Sequence, residues 1–226
     1  MLHPLLTATQ EGNYNGTEAI SSLPFDGIIL AHSNEAEWHS FKNNKHNEAF
    51  LDRVYIVKVP YCLRVTEEIK IYEKLIQNSS LRNAHCAPGT LKTMAQFSIL
   101  SRIKNPENSS IYSKMRIYDG ENLKDTDPKA KSIQEYKDFA GVDEGMTGLS
   151  TRFAFKILSK VFNFDITEVA ANPVHLLYVL EQQIEQEQFA NETQARYLRF
   201  IKEFLAPRYV EFIGKEIQTA YRSEEH

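Results

Sequence analysis

Two near-continuous apolar runs, Gly27-Ile28-Ile29-Leu30-Ala31 and Val54 to Val59, stand out from the mixed N-terminal part of the chain. Runs of this kind suit strands covered on both faces, so they predict neighbouring strands of a parallel sheet. Between them, Ala36 to Arg53 is polar and Asn-rich, and it is long enough for the crossover helix that parallel strands require. Ahead of the first run, Gln10-Glu11-Gly12-Asn13-Tyr14-Asn15-Gly16 sets glycines beside asparagines, a turn signal that predicts an inserted β-hairpin.

From Thr66 onward the apolar period changes from 2 to 3.6. Thr66 serves as an N-cap for a helix with Glu67 and Glu68 in its first turn, where the dipole favours negative charge, and with Ile69, Tyr72, Leu75 and Ile76 as its buried stripe. A second helix is expected over Leu91 to Ile103 with Met94, Phe97 and Leu100 inward, then a loop over Asp119 to Lys131 and a short helix over Ser132 to Ala140. After glycines 141, 145 and 148, the residues Phe153, Ala154, Ile157, Leu158, Val161 and Phe162 repeat in the clearest amphipathic pattern of the chain. Asn172-Pro173 places a cap before a proline in the first helical position, opening a helix over Pro173 to Gln188. A helix over Thr193 to Leu205, a break at Pro207 and a last helix to Tyr221 complete the reading.

Composition narrows the class without naming a chemistry. The 226 residues are 42% hydrophobic and 25% charged, an ordinary globular balance, and a net charge of −4 gives no bulk attraction to nucleic acid or anionic lipid. No apolar run approaches the ~20 residues that span a bilayer. Cys62 and Cys86 lack any paired metal-ligand spacing, so neither a disulfide framework nor a zinc site is expected and a reducing cytoplasm fits. The N-terminus lacks the basic stretch and cleavage site of a signal peptide.

Three polar residues are candidates for chemistry, each with a plainer alternative. Asn34 follows the end of a buried strand, the edge where open α/β sheets bind ligands; an amide there orients water beside a γ-phosphate, or it simply caps a turn. Ser33 is a rival for that role. Arg53 ends the polar helix, where its guanidinium can reach a phosphate on a neighbouring subunit, or pair internally with Asp52 or Glu48. Arg64 is its rival. Arg152 stands in the first turn of the Phe153 to Phe162 helix, where the macrodipole disfavours a cation; a nucleotide phosphate compensates it, or Asp143 or Glu144 does. Asp138-Phe139-Ala140-Gly141 has no accompanying His-Arg-Asp or Gly-rich loop and reads as a helix end, and the acidic Asp119 to Asp127 stretch fails the EF-hand spacing, so no metal site is assigned.

The order strand-Asn, helix-Arg-strand, helical lid and Gly148-Leu149-Ser150-Thr151-Arg152 resembles the second half of an AAA+ ATPase. By that resemblance Asn34 corresponds to sensor 1, Arg53 to the arginine finger, Arg152 to sensor 2, and the segment from Gln10 to Ser22 to a pre-sensor hairpin. Longer strings are similar to the bacterial PrkA family of serine protein kinases. They are Pro4-Leu-Leu-Thr-Ala-Thr-Gln-Glu-Gly-Asn-Tyr-Asn-Gly-Thr-Glu-Ala-Ile, Asp26-Gly-Ile-Ile-Leu-Ala-His-Ser-Asn-Glu, Phe50-Leu-Asp-Arg-Val-Tyr-Ile-Val-Lys-Val-Pro-Tyr, Tyr118-Asp-Gly-Glu-Asn-Leu-Lys and Gly148-Leu-Ser-Thr-Arg-Phe-Ala-Phe-Lys-Ile-Leu.

The resemblance implies the α/β remnant of an AAA+ core with parallel strands over residues 1–60. A mainly α-helical lid over 61–170 and the start of a helical C-terminal domain over 171–226 follow. It implies ATP and Mg2+ as cofactors of the full-length protein, a protein substrate and a homo-oligomer through the AAA+ interface, with no nucleic acid and no membrane. No Gly-x-x-x-x-Gly-Lys-Ser/Thr phosphate loop occurs in the 226 residues, so the chain reads as a fragment, inactive alone. Three function classes stay open: phosphoryl transfer to a protein serine, an ATP-hydrolysing remodeller or protease-like machine, and a helical interaction module over Pro173 to Tyr221.

Overall fold

A computed structural model of the chain describes residues 3–14, 22–164 and 170–224. They fall into two compact units, Met1–Lys58 and Val59–His226. No helix of the described residues is long and apolar enough to cross a membrane.

The first unit opens with α1 (His3–Glu11) and a short antiparallel pair, β1 (Asn13–Tyr14) against β2 (Leu23–Pro24), with Tyr14 opposite Leu23. The expected hairpin tip, residues 15–21, lies outside the described residues. The parallel sheet predicted from the two apolar runs is absent among the described residues, whose one sheet is this antiparallel pair. Gly27 to Ala31 and Val54 to Val59 carry no ladder, and Ile28, Leu30 and Tyr55 are 89%, 91% and 94% exposed. An apolar run records the burial a segment is suited to, whereas a strand also needs a neighbouring strand to pair with, and no ladder to either run forms among the described residues. The predicted crossover helix is broken into α2 (Glu35–Lys42), a 3-10 turn (Lys45–Asn47) and α3 (Glu48–Leu51). Asparagine causes the break: Asn44 turns its side chain back to accept from the His46 amide at 3.1 Å, an alternative to helical bonding. Trp38, Phe41 and Phe50 gather the pieces, with ring centroids 5.8 and 5.6 Å apart.

The second unit is helical and built around one central helix. It contains α4 (Val65–Gln77), α5 (Thr90–Arg102), α6 (Ile111–Tyr118), α7 (Ile133–Ala140), α8 (Thr151–Phe162), α9 (Pro173–Gln186) and α10 (Asn191–Arg199). A π-helical turn (Phe200–Leu205) then leads into α11 (Ala206–Glu224). Helix α5 is buried on nearly every side, through Thr93, Met94, Ala95, Phe97, Ser98, Ile99, Leu100, Ser101 and Arg102. It packs against α4, α6, α8, α9 and the π-turn. Each fully buried Ile, Leu or Phe there contributes roughly 1.5–3 kcal/mol, so the unit's stability is concentrated along this axis.

Most helix ends follow the sequence, with three differences. The α7 start is a complete capping box between Ser132 and Glu135, Asn172 caps α9 ahead of Pro173, and α7 ends at Ala140 with Gly141 at φ +72°. Thr66, however, lies inside α4 and is itself capped: the Asp119 carboxylate, 53 residues away, accepts from its amide and its hydroxyl at 2.8 Å each. Helix α6 is a helix that the apolar pattern alone did not delimit. The expected break at Pro207 is also absent. The π-turn directly ahead, in which the Ala206 amide reaches back to the Ile201 carbonyl, absorbs the missing proline donor and lets the helix run on.

Gly148 has φ +104°, and a Cβ placed there would lie 2.7 Å from the Ser101 carbonyl oxygen and 2.9 Å from Arg102 Cα. The collision is with helix backbone, which cannot yield. Gly148→Ala is expected to lower unfolding stability by about 2–4 kcal/mol; a denaturant midpoint equal to that of the unaltered chain would contradict the close approach of the loop to α5.

Candidate functional site

The three sequence-predicted residues are divided between the units: Asn34 and Arg53 belong to Met1–Lys58, and Arg152 to Val59–His226. Asn34 is the N-cap of α2, its side-chain oxygen accepting from the Glu37 amide at 2.7 Å. The neighbouring Ser33 hydroxyl donates to the Asn34 carbonyl at 3.1 Å. Arg53 is exposed just after α3, and its guanidinium donates to the Ala49 carbonyl at the C-terminal end of that short helix, where the dipole favours a cation. Among the described residues neither Asp52 nor Glu48 pairs with it.

Arg152 occupies the second position of α8, exposed and without an ion pair among the described residues. Its cation sits at the end of the helix where the dipole is unfavourable to positive charge. Ser150 caps the same helix by accepting from the Phe153 amide at 3.2 Å. Glu144, one of the carboxylates expected to neutralise Arg152, is engaged elsewhere. Its Oε1 takes Lys114 Nζ at 2.6 Å and the Lys104 amide at 2.8 Å, and its Oε2 takes the Tyr118 hydroxyl at 2.6 Å.

The loop that delivers Arg152, from Gly141 to Ser150, is held at both ends by buried charge. At the near end is the Glu144 cluster, in which the fully buried Lys114 ammonium also sits 5.4 and 5.8 Å from the rings of Tyr118 and Tyr136. Burial pushes the Lys114 pKa down against the opposing pull of Glu144, and burial followed by the hydrogen bond and charge of Glu144 pushes the Tyr118 phenol up. At the far end, Arg102 and Glu68, both with side chains fully out of solvent, form a two-pronged pair at 2.8 Å per bond. The remaining Arg102 donors reach the Leu149 and Cys62 carbonyls, each at 2.9 Å, and the guanidinium lies 5.0 Å from the centre of the Tyr61 ring. Two more bonds close the frame: the Leu149 amide donates to Ser101 Oγ at 2.9 Å, and the Tyr61 amide to the Gly145 carbonyl at 2.9 Å.

None of Arg102, Glu68, Lys114 or Glu144 was singled out from the sequence as holding a site. The signal was present nonetheless: Glu68 falls on the buried stripe of α4 with Val65, Tyr72 and Ile76, and Lys114 on that of α6 with Ile111, Met115 and Tyr118. A charge on an apolar stripe requires a buried partner. Among the described residues no group of three or more His, Cys, Asp or Glu is placed to hold a metal ion.

Comparison with known proteins adds to this geometry. Residues 1–110 match the profile of the PrkA AAA domain, and residues 112–226 that of the PrkA serine protein kinase C-terminal domain. The chain is similar to the serine/threonine kinase YeaG of Escherichia coli (strain K12), 79% identical over 98% of this chain and 34% of that protein. It is 38% identical to the ATP-dependent protease PrkA of Bacillus subtilis (strain 168), over 96% of this chain and again 34% of the relative. The chain therefore spans about a third of the length of the curated relatives it matches. No solved structure matches it.

The shifted tyrosines give the helical unit a pH signature. Tyr118, and Tyr72 with burial and Glu68 acting together, have folded pKa values raised above the unfolded value of about 10. Their contribution is fully present below that value and is lost as pH rises through the folded values, because the unfolded chain releases these protons first. Lys114, shifted down, acts in the opposite sense, since raising the pH relieves its buried charge. Unfolding stability is expected to fall above about pH 10, less steeply in Tyr118→Phe; identical alkaline limbs for the two proteins in chemical denaturation would remove Tyr118 from this account.

Proposed function

Because the chain belongs to the PrkA family, we propose that it is the Arg152-bearing segment of an ATP-dependent serine protein kinase, one that requires the remainder of the full-length protein for activity. The observation that carries this reading is Arg152: exposed, unpaired among the described residues, and presented by a loop tied down at both ends. A cation so placed suits a phosphate group, and the free amides of the α8 first turn favour the same charge. The residues present fit ATP in part. Arg152 would contact a phosphate as sensor 2, Arg53 would act on the nucleotide of a neighbouring copy as the arginine finger, and Asn34 would orient the attacking group as sensor 1. No phosphate loop occurs in the chain, and no metal-holding cluster lies among its described residues, so the groups that cradle the phosphates and Mg2+ belong to other parts of the full-length protein.

In this mechanism the acceptor is a serine hydroxyl of a protein substrate, the nucleotide supplies the transferred phosphoryl group, and the chain's arginines stabilise the charge that develops on it. The name of the Bacillus subtilis relative, an ATP-dependent protease, favours a second reading in which the acceptor is water and hydrolysis moves the helical unit. The reading places the protein in a bacterial cytoplasm, assembled through the AAA domain.

Radiolabel transfer from γ-labelled ATP by the full-length protein separates the two. Label on a substrate serine is the expected result, and free phosphate as the sole labelled product would replace the kinase with the ATP-driven machine. Within the full-length protein, Arg53→Ala is expected to lower turnover on the order of a hundredfold or more with ATP binding nearly intact. Arg152→Ala is expected to weaken ATP binding. An unchanged hydrolysis rate in Arg53→Ala would transfer the finger role to Arg64.

A further inference from the structure

Arg102 makes contact with three segments at the far end of the Arg152 loop: α4, the Pro60–Arg64 segment and Leu149. It sits at the last position of the central helix α5, fully buried, and its three guanidinium nitrogens are all committed. Two prongs take Glu68 of α4, one of the same nitrogens also takes the Cys62 carbonyl, and Nε takes the Leu149 carbonyl three residues before Arg152. Tyr61 covers the guanidinium face at 5.0 Å. The glycine before Leu149 is forced flat onto the same turn of α5, since a Cβ at Gly148 would meet Arg102 Cα and Cγ at 2.9 Å.

A lysine could not do this work. An ammonium is a single point of positive charge with no fork, so it would hold the Glu68 carboxylate but could not at once span Glu68, Cys62 and Leu149 in their different directions. The choice of arginine thus serves the loop as much as the ion pair. Stability alone does not require it either, because a buried pair of this kind is often replaced by apolar residues of similar volume with little loss.

We infer that Arg102 is the positioning residue for Arg152: it sets the loop Gly148–Ser150, and with it the start of α8, against the Pro60–Arg64 segment by which the chain enters the helical unit. The inference rests on the reading of Arg152 as a nucleotide-contacting group. Arg102 itself touches no nucleotide. It acts through the Leu149 carbonyl, and its loss leaves α8 intact but frees its first turn to shift relative to α5.

The test uses the full-length protein with two variants, Arg102→Lys and the double variant Glu68→Met with Arg102→Met, the second leaving no buried charge unpaired. In the double variant, native-state hydrogen exchange is expected to accelerate about tenfold or more at the Leu149 and Phe153 amides, with Phe97 to Leu100 in α5 unaltered. The KM for ATP is expected to rise between about tenfold and a hundredfold with kcat changed far less. Adding Arg152→Ala to the double variant should raise KM no further, since both changes remove the same contact. Arg102→Lys should show the same split, because charge without the fork does not hold Leu149. Unchanged exchange at Leu149 and Phe153 in a folded double variant overturns the inference, as does a KM effect that multiplies independently with that of Arg152→Ala. If the unaltered protein neither binds nor turns over ATP, the proposed function falls, and the exchange measurement alone still decides whether Arg102 positions the loop.

Discussion

The buried pair between Arg102 and Glu68 is the constraint around which the helical unit is organised. Two charges removed wholly from water are destabilising unless each is matched, and the effective penalty is several kcal/mol per ion. Here all three guanidinium nitrogens are engaged, through four hydrogen bonds to both carboxylate oxygens and to the Leu149 and Cys62 carbonyls, and the face is covered by Tyr61. Those partners come from α4, from the loop before α8 and from the entering segment Pro60–Arg64. The geometry that satisfies one charge therefore fixes three pieces of chain that are distant in sequence. Arg196 completes the end of α5 from yet another element, donating to the Ile103 carbonyl at 2.7 Å and the Leu100 carbonyl at 3.3 Å, which serves carbonyls that the helix terminus leaves without amide partners.

A second buried cluster, Lys114 with Glu144 and Tyr118, performs the matching task at the other end of the Gly141–Ser150 loop. Each engages a carboxylate, Glu68 in one and Glu144 in the other, and Arg152 is exposed and without an ion pair among the described residues. A cation at a helix start is mildly unfavourable, and the fold retains it on a rigid mount. That combination, local disfavour within an over-determined frame, is the usual physical setting of a ligand-contacting group.

The legible part of the structure was the part governed by local rules. The stripes of α4, α5 and α8, the short helix from Ser132 to Ala140 and the Asn172-Pro173 start all follow from spacing and from side-chain hydrogen bonds within a few residues, and they stand where the pattern places them. The misread parts each involve a distant partner or a compensating distortion. Thr66 looked like a cap because nothing nearby announced Asp119. Pro207 looked like a break because a π-turn leaves no mark in hydrophobic spacing. The two apolar runs looked like paired strands because apolar continuity expresses a suitability for burial, and ladders are formed by neighbours. Asn34, Arg53 and Arg152 were named as candidates through motif order, while the residues that hold the Arg152 loop read as ordinary charges.

The sequence by itself determined the family, the helical periodicities and the identity of the three polar candidates, because family strings, apolar spacing and capping residues are properties of short stretches of chain. Only the tertiary structure decided which charges are buried against which, that Glu144 belongs to Lys114 rather than to Arg152, and that Arg102 joins α4, the Arg152 loop and the entering segment. Those pairings span 30 to 47 residues. They are selected by the need to match these buried charges with partners from several segments at once, a condition on the whole fold that no local pattern expresses.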